Sequence, residues 1–336
     1  MSQDFSDGYW YDDASLYACE LVKQLTIEDW NALKSSWQNR SKQWQVRCAE
    51  ILDWGEASQA VPLLLEMIRE GDDELTLTAA DSLRSIGVAE LDFPIDEDVL
   101  EPLQAVAQTG NIARRIIGEL LGQLEIKAYR DFLIEVLQAT EESGADPQVV
   151  YPLLEANLDK LDDKFAQALR SWATAILPKL EPEQAQDLAA IIGNFSNLIQ
   201  EFRLDKRPSN LEIGIAGYEI VATVFTRQAF PEEWATIQNN LGLAYLCRIR
   251  GERAENLEAA IRCFSAALEE YTRQGFPKQW ATTQNNLGLA YCQRIQGERA
   301  ENLEAAIRCF AAALQVRTRE AFPQQWAATA IAFSVP

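Results

Sequence analysis

The sequence predicts an all-α fold of the helical-repeat class, a solenoid of stacked helix pairs, and three observations lead there. Apolar residues recur three and four apart through most of the 336 residues, the period of an amphipathic helix. A phrase of 46 residues occurs twice in nearly the same words and begins a third time near the C-terminus. A shorter repeat, with its own vocabulary, occupies the first third. These divide the chain into an acidic repeat domain over 1–125, a helical connector over 126–208, and a second repeat domain over 209–336 that ends in an incomplete unit.

Composition bounds what such a chain can do. A hydrophobic content of 48% over this length is enough for sizeable cores. No apolar run reaches 18 residues, and the N-terminus, MSQDFSDGYWYDD, is acidic where a signal peptide is basic and then apolar, so a cytoplasmic chain with no membrane partner is expected. The net charge of −21 is unevenly spread: residues 1–208 carry 18 Lys and Arg against 38 Asp and Glu, whereas 209–336 carry 12 against 13. Nucleic-acid binding rests on basic groups neutralising phosphates, and this balance argues against it. Six cysteines, at 19, 48, 247, 263, 292 and 309, stand far apart with no CxxC pair, which points to reduced, packed thiols.

In the N-terminal domain, WQVRCAEILDWGEASQAVPLLLEMIREG runs into DDELTLTAADSLRSIG, and Ala49 and Leu52 return as Ala80 and Leu83 at a spacing of 31 residues. The order Val46, Arg47, Ala49, Leu52, then Ala60, Val61, Pro62 and Leu63 resembles a HEAT-like repeat of the phycobilisome-lyase type. Pro102 and Leu103 mark a decayed copy beyond the insertion VAELDFPIDED, giving about two and a half units. The connector shows helical spacing in AYRDFLIEVLQ, KFAQALRSWATAIL and EQAQDLAAIIGNFSNLIQEF, broken by Gly144, Pro147, Pro178 and Pro182, without an obvious repeat.

The C-terminal units open at Phe230, Phe276 and Phe322, and half of an earlier copy starts at Asn210, where NLEIGIAGYEIVATVFTRQA aligns with NLEAAIRCFSAALEEYTRQG from Asn256. Each unit reads as two helices. Pro231 suits a first helical turn, Trp234, Ile237, Leu241, Ala244 and Tyr245 form the first stripe, and a stop is expected at the Gly251 loop. Asn256 and Asn302 read as N-caps of the second helix, with Gly275 closing it. Trp234, Trp280 and Trp326 are expected in a hydrophobic clasp at the start of each first helix, and Cys263 and Cys309, at one repeat position, in the core.

Leu241, Gly242, Tyr245, Ala260, Phe264 and Ala267, repeated at Leu287, Gly288, Tyr291, Ala306, Phe310 and Ala313, resemble the tetratricopeptide consensus. The unit is longer than the family's usual 34 residues, and Gln238 and Gln284 stand at its first-helix tryptophan position. NNLG, GERAENLE and FPxxWA are similar to cyanobacterial arrays that precede a caspase-like CHAT peptidase domain, and the helical connector resembles their leader. That kinship implies a scaffold or adaptor that regulates a separate CHAT-type peptidase, or a truncated remnant of a larger CHAT protein, since after Trp326 the sequence AATAIAFSVP leaves the repeat. The HEAT-like resemblance implies an alternative, a phycobilin lyase or bilin-handling chaperone.

Catalytic equipment is sparse. The chain contains no histidine, which removes Ser-His-Asp and Cys-His mechanisms and HExxH zinc sites, and it has neither GxxxxGK[ST] nor GxGxxG. A non-enzymatic protein without cofactor or metal is expected. The tetratricopeptide resemblance instead directs attention to the concave face, where such proteins hold a protein or peptide. By alignment that face is lined by Thr236, Asn239, Asn240, Leu243 and Cys247, then Thr282, Asn285, Asn286, Leu289 and Gln293. A carboxamide both donates and accepts, so Asn240 and Asn286, and less directly Asn239 and Asn285, are expected to pair with a peptide backbone; the competing reading is that they satisfy neighbouring groups of their own chain. The incomplete last unit leaves an apolar end from which self-association is expected.

Overall fold

A computed structural model describes residues 15–87, 97–202 and 207–334; the insertion VAELDFPIDED falls largely outside them. Every regular element among the described residues is helical, and the chain is an all-α helical-repeat fold. It divides into two compact units, residues up to Ala128 and residues from Tyr129.

The first unit contains α1 (Ser15–Val22), α2 (Ile27–Ser36), α3 (Lys42–Ile51), α4 (Ala57–Glu70), α5 (Asp73–Ile86), α6 (Glu97–Val106) and the first part of α7 (Asn111–Glu142). Local chemistry sets the starts: Thr26 and Asp29 form a reciprocal capping box on α2, and Ser41 and Asp72 cap α3 and α5. The repeated Ala49, Leu52, Ala80 and Leu83 are all fully buried, and the Ser82 hydroxyl donates to the Ala49 carbonyl at 2.7 Å, tying α5 to α3. Trp30 and Trp37 fill the same core, and Gly55 is required where Val22 and the Trp30 ring close over the turn: a Cβ there would lie 2.8 Å from Val22.

The second unit continues through the rest of α7, α8 (Pro147–Ala156), α9 (Asp163–Ile176), α10 (Pro182–Glu201) and α11 (Arg207–Val224). It then holds α12 (Pro231–Cys247), α13 (Arg253–Glu270), α14 (Pro277–Gln293), α15 (Arg299–Leu314) and α16 (Pro323–Ser334). Contacts do not set the connector apart. Ile192, Phe195 and Ile199 of α10 share one buried cluster with Ile213, Ala216 and Val221 of α11 and with Ile237 and Leu241 of α12. Helix α10 packs on α11 as α12 packs on α13, in the same 46-residue register: Ser196 stands one period before Gly242, and Asn197 one period before Leu243. The array's first full helix pair is therefore α10–α11. Only its second helix is legible in the sequence, because α10 shares none of the NNLG vocabulary.

Small-to-large contacts hold each pair together. A Cβ on Gly242 would lie 2.8 Å from the Phe264 ring, and one on Gly288 2.7 Å from Phe310. In the leading pair the roles change, since Gly217 of α11 meets the buried Ser196 of α10. Each first helix ends at Cys247 or Gln293, and the following loop turns through Gly251 and Gly297 with left-handed φ of 74° and 78°, a conformation that favours glycine.

Two local expectations are corrected. Helices α13 and α15 begin at Arg253 and Arg299, with Glu252 and Glu298 at the N-cap, so Asn256 and Asn302 lie inside the helix. Their buried carboxamides reach back to the loop, donating to the carbonyls of Arg250 at 2.7 Å and Gln296 at 2.8 Å, which pins the glycine turn. Helix α13 also stops at Glu270, five residues before Gly275, because Tyr271 leaves helical geometry and turns inward, where it is buried. The aromatic clasp is present: Phe276 packs on Tyr271 with ring centroids 5.5 Å apart, Phe230 on Phe225 at 5.3 Å, and Trp234 and Trp280 join the cluster around Ala235, Ala267 and Tyr271.

A repeated ion pair joins one helix pair to the next. The Arg248 guanidinium binds both carboxylate oxygens of Glu212, at 2.8 and 2.7 Å, and one period later Arg294 binds Glu258 at 2.7 and 3.0 Å. Each arginine also lies over a tyrosine of its own helix, Tyr245 or Tyr291, and within 3.4 Å of the clamping Asn256 or Asn302. Loop, helix end and preceding unit are thereby tied at one point.

Candidate functional site

The ten groove positions lie on α12 and α14, and the structure assigns them different work. Asn239 and Asn285 stitch neighbouring units. The Thr283 hydroxyl lies 3.0 Å from Asn239 Oδ1, and Thr329 lies 2.9 Å from Asn285 Oδ1, both hydroxyls being buried. Asn286 adds a second, longer contact, its Nδ2 donating to Asn239 Oδ1 at 3.4 Å. Thr236 pairs with the Tyr271 hydroxyl at 2.5 Å, Thr282 accepts from Arg317 at 2.9 Å, and Gln293 accepts from Arg253 at 2.5 Å. Leu289 is half-buried against a core cluster shared by its own unit and the preceding one.

Asn240, Leu243 and Cys247 come together on one cleft of about 400 Å3, formed where α12 meets α10 and α11. Phe202, Leu211 and Leu243 supply its apolar surface, Asn197, Gln200, Tyr218 and Asn240 its neutral polar groups, and Glu201 a carboxylate. Asn240 is oriented from both sides, donating to Asn197 Oδ1 at 3.0 Å and accepting from Asn239 Nδ2 at 3.2 Å, while Tyr218 donates to the same Asn197 oxygen at 2.7 Å. Each carboxamide oxygen has two lone pairs, so Asn240 keeps accepting capacity. Gln200 Oε1 is buried and has no hydrogen-bond partner among the described residues, an arrangement that costs about 1–3 kcal/mol until a donor arrives. The cleft is thus rich in acceptors. It suits a ligand that brings N–H groups and an apolar surface.

Asn197 and Gln200 carry no signal in the repeated phrase because they lie on α10, which lacks it; Tyr218 lies in the legible half-copy on α11, one period before the core residue Phe264. The 46-residue register carried one step further back from Leu243 would have found Asn197.

Burial governs the thiols. It pushes Cys48 up to about 12 and Cys263 and Cys309 up to about 11, so these side chains remain protonated and unreactive near neutral pH. All six cysteines are free. Among the described residues no helix is long and apolar enough to cross a membrane.

Paired helices and a repeated small-to-large contact define a helical-repeat protein. A family model described as the tetratricopeptide repeat matches residues 280–320, the stretch from Trp280 through α14 and α15. That stretch is thus similar to the tetratricopeptide repeat, a repeat that in general mediates protein–protein binding. No curated protein matches it.

Proposed function

We propose that the chain is a non-catalytic scaffold that binds a peptide segment of another protein, seated in the cleft between α10, α11 and α12. The observation that carries this reading is the cleft itself: an apolar surface from Phe202, Leu211 and Leu243 beside the Gln200 oxygen, which has no partner among the described residues, and the two-sided Asn240 carboxamide, on a tetratricopeptide-type array. A peptide in the cleft presents backbone N–H groups to these oxygens and a side chain to the leucines. The absence of histidine from the sequence and the raised pKa of the buried thiols support a role without catalysis.

Peptides selected from a random display library against the full chain provide the test. Selected peptides are expected to lose binding on Leu243→Glu, to weaken on Asn240→Ala, and to protect Cys247 from alkylation. Peptides that bind both variants unchanged and leave Cys247 reactive would place the site elsewhere. For the natural partner, the resemblance to CHAT-associated arrays makes a CHAT-type peptidase on a separate chain the first to assay. Bilin handling by the N-terminal unit is the second, read from absorbance on mixing with bilin and apo-phycobiliprotein. Self-association through α15 and α16 is a third, supported by Ile307 and Phe333, which are 49% and 43% exposed, and read from sedimentation of Ile307→Glu.

A further inference from the structure

A second, smaller cleft of about 110 Å3 lies beside α14, closed by the segment that joins α15 to α16. Lys278, Thr282, Arg317 and Gln325 line it, with Ala281 and Phe322 as its apolar wall. The Arg317 guanidinium is fixed by two neutral groups: it donates through Nη1 to Thr329 Oγ1 at 3.0 Å and through Nη2 to Thr282 Oγ1 at 2.9 Å. Neither Arg317 nor Lys278 has a carboxylate within ion-pair distance among the described residues. Burial presses the Arg317 pKa below its ordinary value, and no charged neighbour offsets it. A half-buried cation that has lost water and gained no anion is a costly arrangement.

The preceding unit shows that this charge is not required by the fold. One period earlier the same positions hold Glu232, Tyr271 and, opposite Val316, Glu270, while Ala235, Thr236, Phe276 and Gln279 match Ala281, Thr282, Phe322 and Gln325. There the Tyr271 hydroxyl meets Thr236 at 2.5 Å and Glu232 adds negative potential. Between the two units Glu232 gives way to Lys278, Glu270 to Val316 and Tyr271 to Arg317, so the lining loses two carboxylates and gains two cations in a frame of otherwise identical residues.

We propose that the Lys278–Arg317 cleft is an anion site that takes the carboxylate of an acidic peptide. Five N–H donors sit on a guanidinium and two are used, leaving three to donate to the oxygens of a carboxylate, with Lys278 as a second charge. The volume admits a side-chain carboxylate and its methylene and lies far below the roughly 300 Å3 of a drug-sized ligand site. The site shares only Thr282 with the groove positions named from the sequence, and it stands whether or not the larger cleft holds a peptide.

Fluorescence anisotropy with the full chain tests it, using labelled pentaglutamate amide, the same peptide with a free C-terminus, and pentaglutamine amide. The net charge of −21 opposes unspecific capture of an acidic peptide, so affinity reports a local site. Pentaglutamate amide is expected to bind and pentaglutamine not to. The double variant Lys278→Glu/Arg317→Tyr installs the residues of the preceding unit and is expected to weaken binding at least about tenfold, one charge-assisted pair. Conversely, Glu232→Lys/Tyr271→Arg is expected to raise the number of pentaglutamate molecules bound. If Arg317→Tyr unfolds the last helices, Lys278→Glu on its exposed residue carries the test, with a loss of about threefold or more. Much tighter binding of the free C-terminus assigns the site to a terminal carboxylate, and equal binding to a side chain. Equal affinity for pentaglutamine, no loss in the folded variants, or displacement by inorganic phosphate far below the chloride concentration needed would overturn the assignment.

Discussion

Two helix-interior glycines respond oppositely to alanine if packing at the helix crossing decides their identity. At Gly288 the added Cβ would sit 2.7, 2.9 and 3.0 Å from Cε1, Cδ1 and Cζ of Phe310, a side chain only 1% exposed. Overpacking of this kind costs about 1–3 kcal/mol, while Gly→Ala in a helix interior returns roughly 0.5–1 kcal/mol of backbone entropy. The net expectation is a loss of about 0.5–2 kcal/mol. At Gly118 of α7 nothing lies within 4 Å of the point such a carbon would occupy, so only the entropic gain remains and alanine stabilises by up to about 1 kcal/mol. Urea unfolding followed by circular dichroism reads both, the first against the transition of the second unit. A cycle with Phe310→Leu isolates the contact: the smaller side chain should recover part of the Gly288→Ala loss, with a coupling of about 1 kcal/mol. Packing at this crossing is not what selects glycine if Gly288→Ala is as stable as the parent, or if the Phe310→Leu background makes no difference.

Glu258→Ala removes both acceptors of the Arg294 fork at a site where the two side chains are 18% and 29% exposed, and is expected to cost about 1–2 kcal/mol, lowering the urea midpoint of the second unit. Asn256→Ala frees the Arg250 carbonyl and the Gly251 turn; a loss of about 1–2 kcal/mol and faster amide exchange over residues 248–252 should follow, whereas a role as N-cap would instead expose the amides of the first turn of α13. Acid sensitivity in the first unit is assigned to Asp72, whose pKa is held below the usual carboxylate range by the hydrogen bond from Lys42 and then by the amide of Leu75. A lowered folded pKa means that its stabilisation is present above the unfolded value, near 4, and disappears as pH falls through the lower folded value. Asp72→Asn keeps a capping side chain and should flatten the stability of that unit over this acid range while leaving its amide protection near neutral pH only slightly lower.

Periodicity determined the helical class, the 46-residue unit and the aromatic clasp, and the resemblance to the tetratricopeptide consensus implied the close helix contacts, because each is a local pattern or a contact between positions fixed by the repeat. Gly242 against Phe264 is legible for that reason: the two residues are always the same distance apart in sequence, and only one small and one large side chain fit the crossing. The role of Asn256 was not legible, since an asparagine near a helix start reads as a cap until the loop is seen to fold back onto it. The groove asparagines divide for a similar reason. Asn239 and Asn240 are adjacent in the chain, yet a rotation of about 100° along the helix points one at Thr283 of the next unit and the other at Asn197 of the preceding helix pair. The repeat register reaches Asn197, but only the tertiary structure could recruit Gln200 and Tyr218 to the cleft and hold Arg317 apart from the carboxylates of the described residues, because burial and pairing are properties of what three or four distant segments leave between them. The order of residues decides which groups each helix face carries. Packing decides which of them still have a hydrogen bond or a charge left to offer.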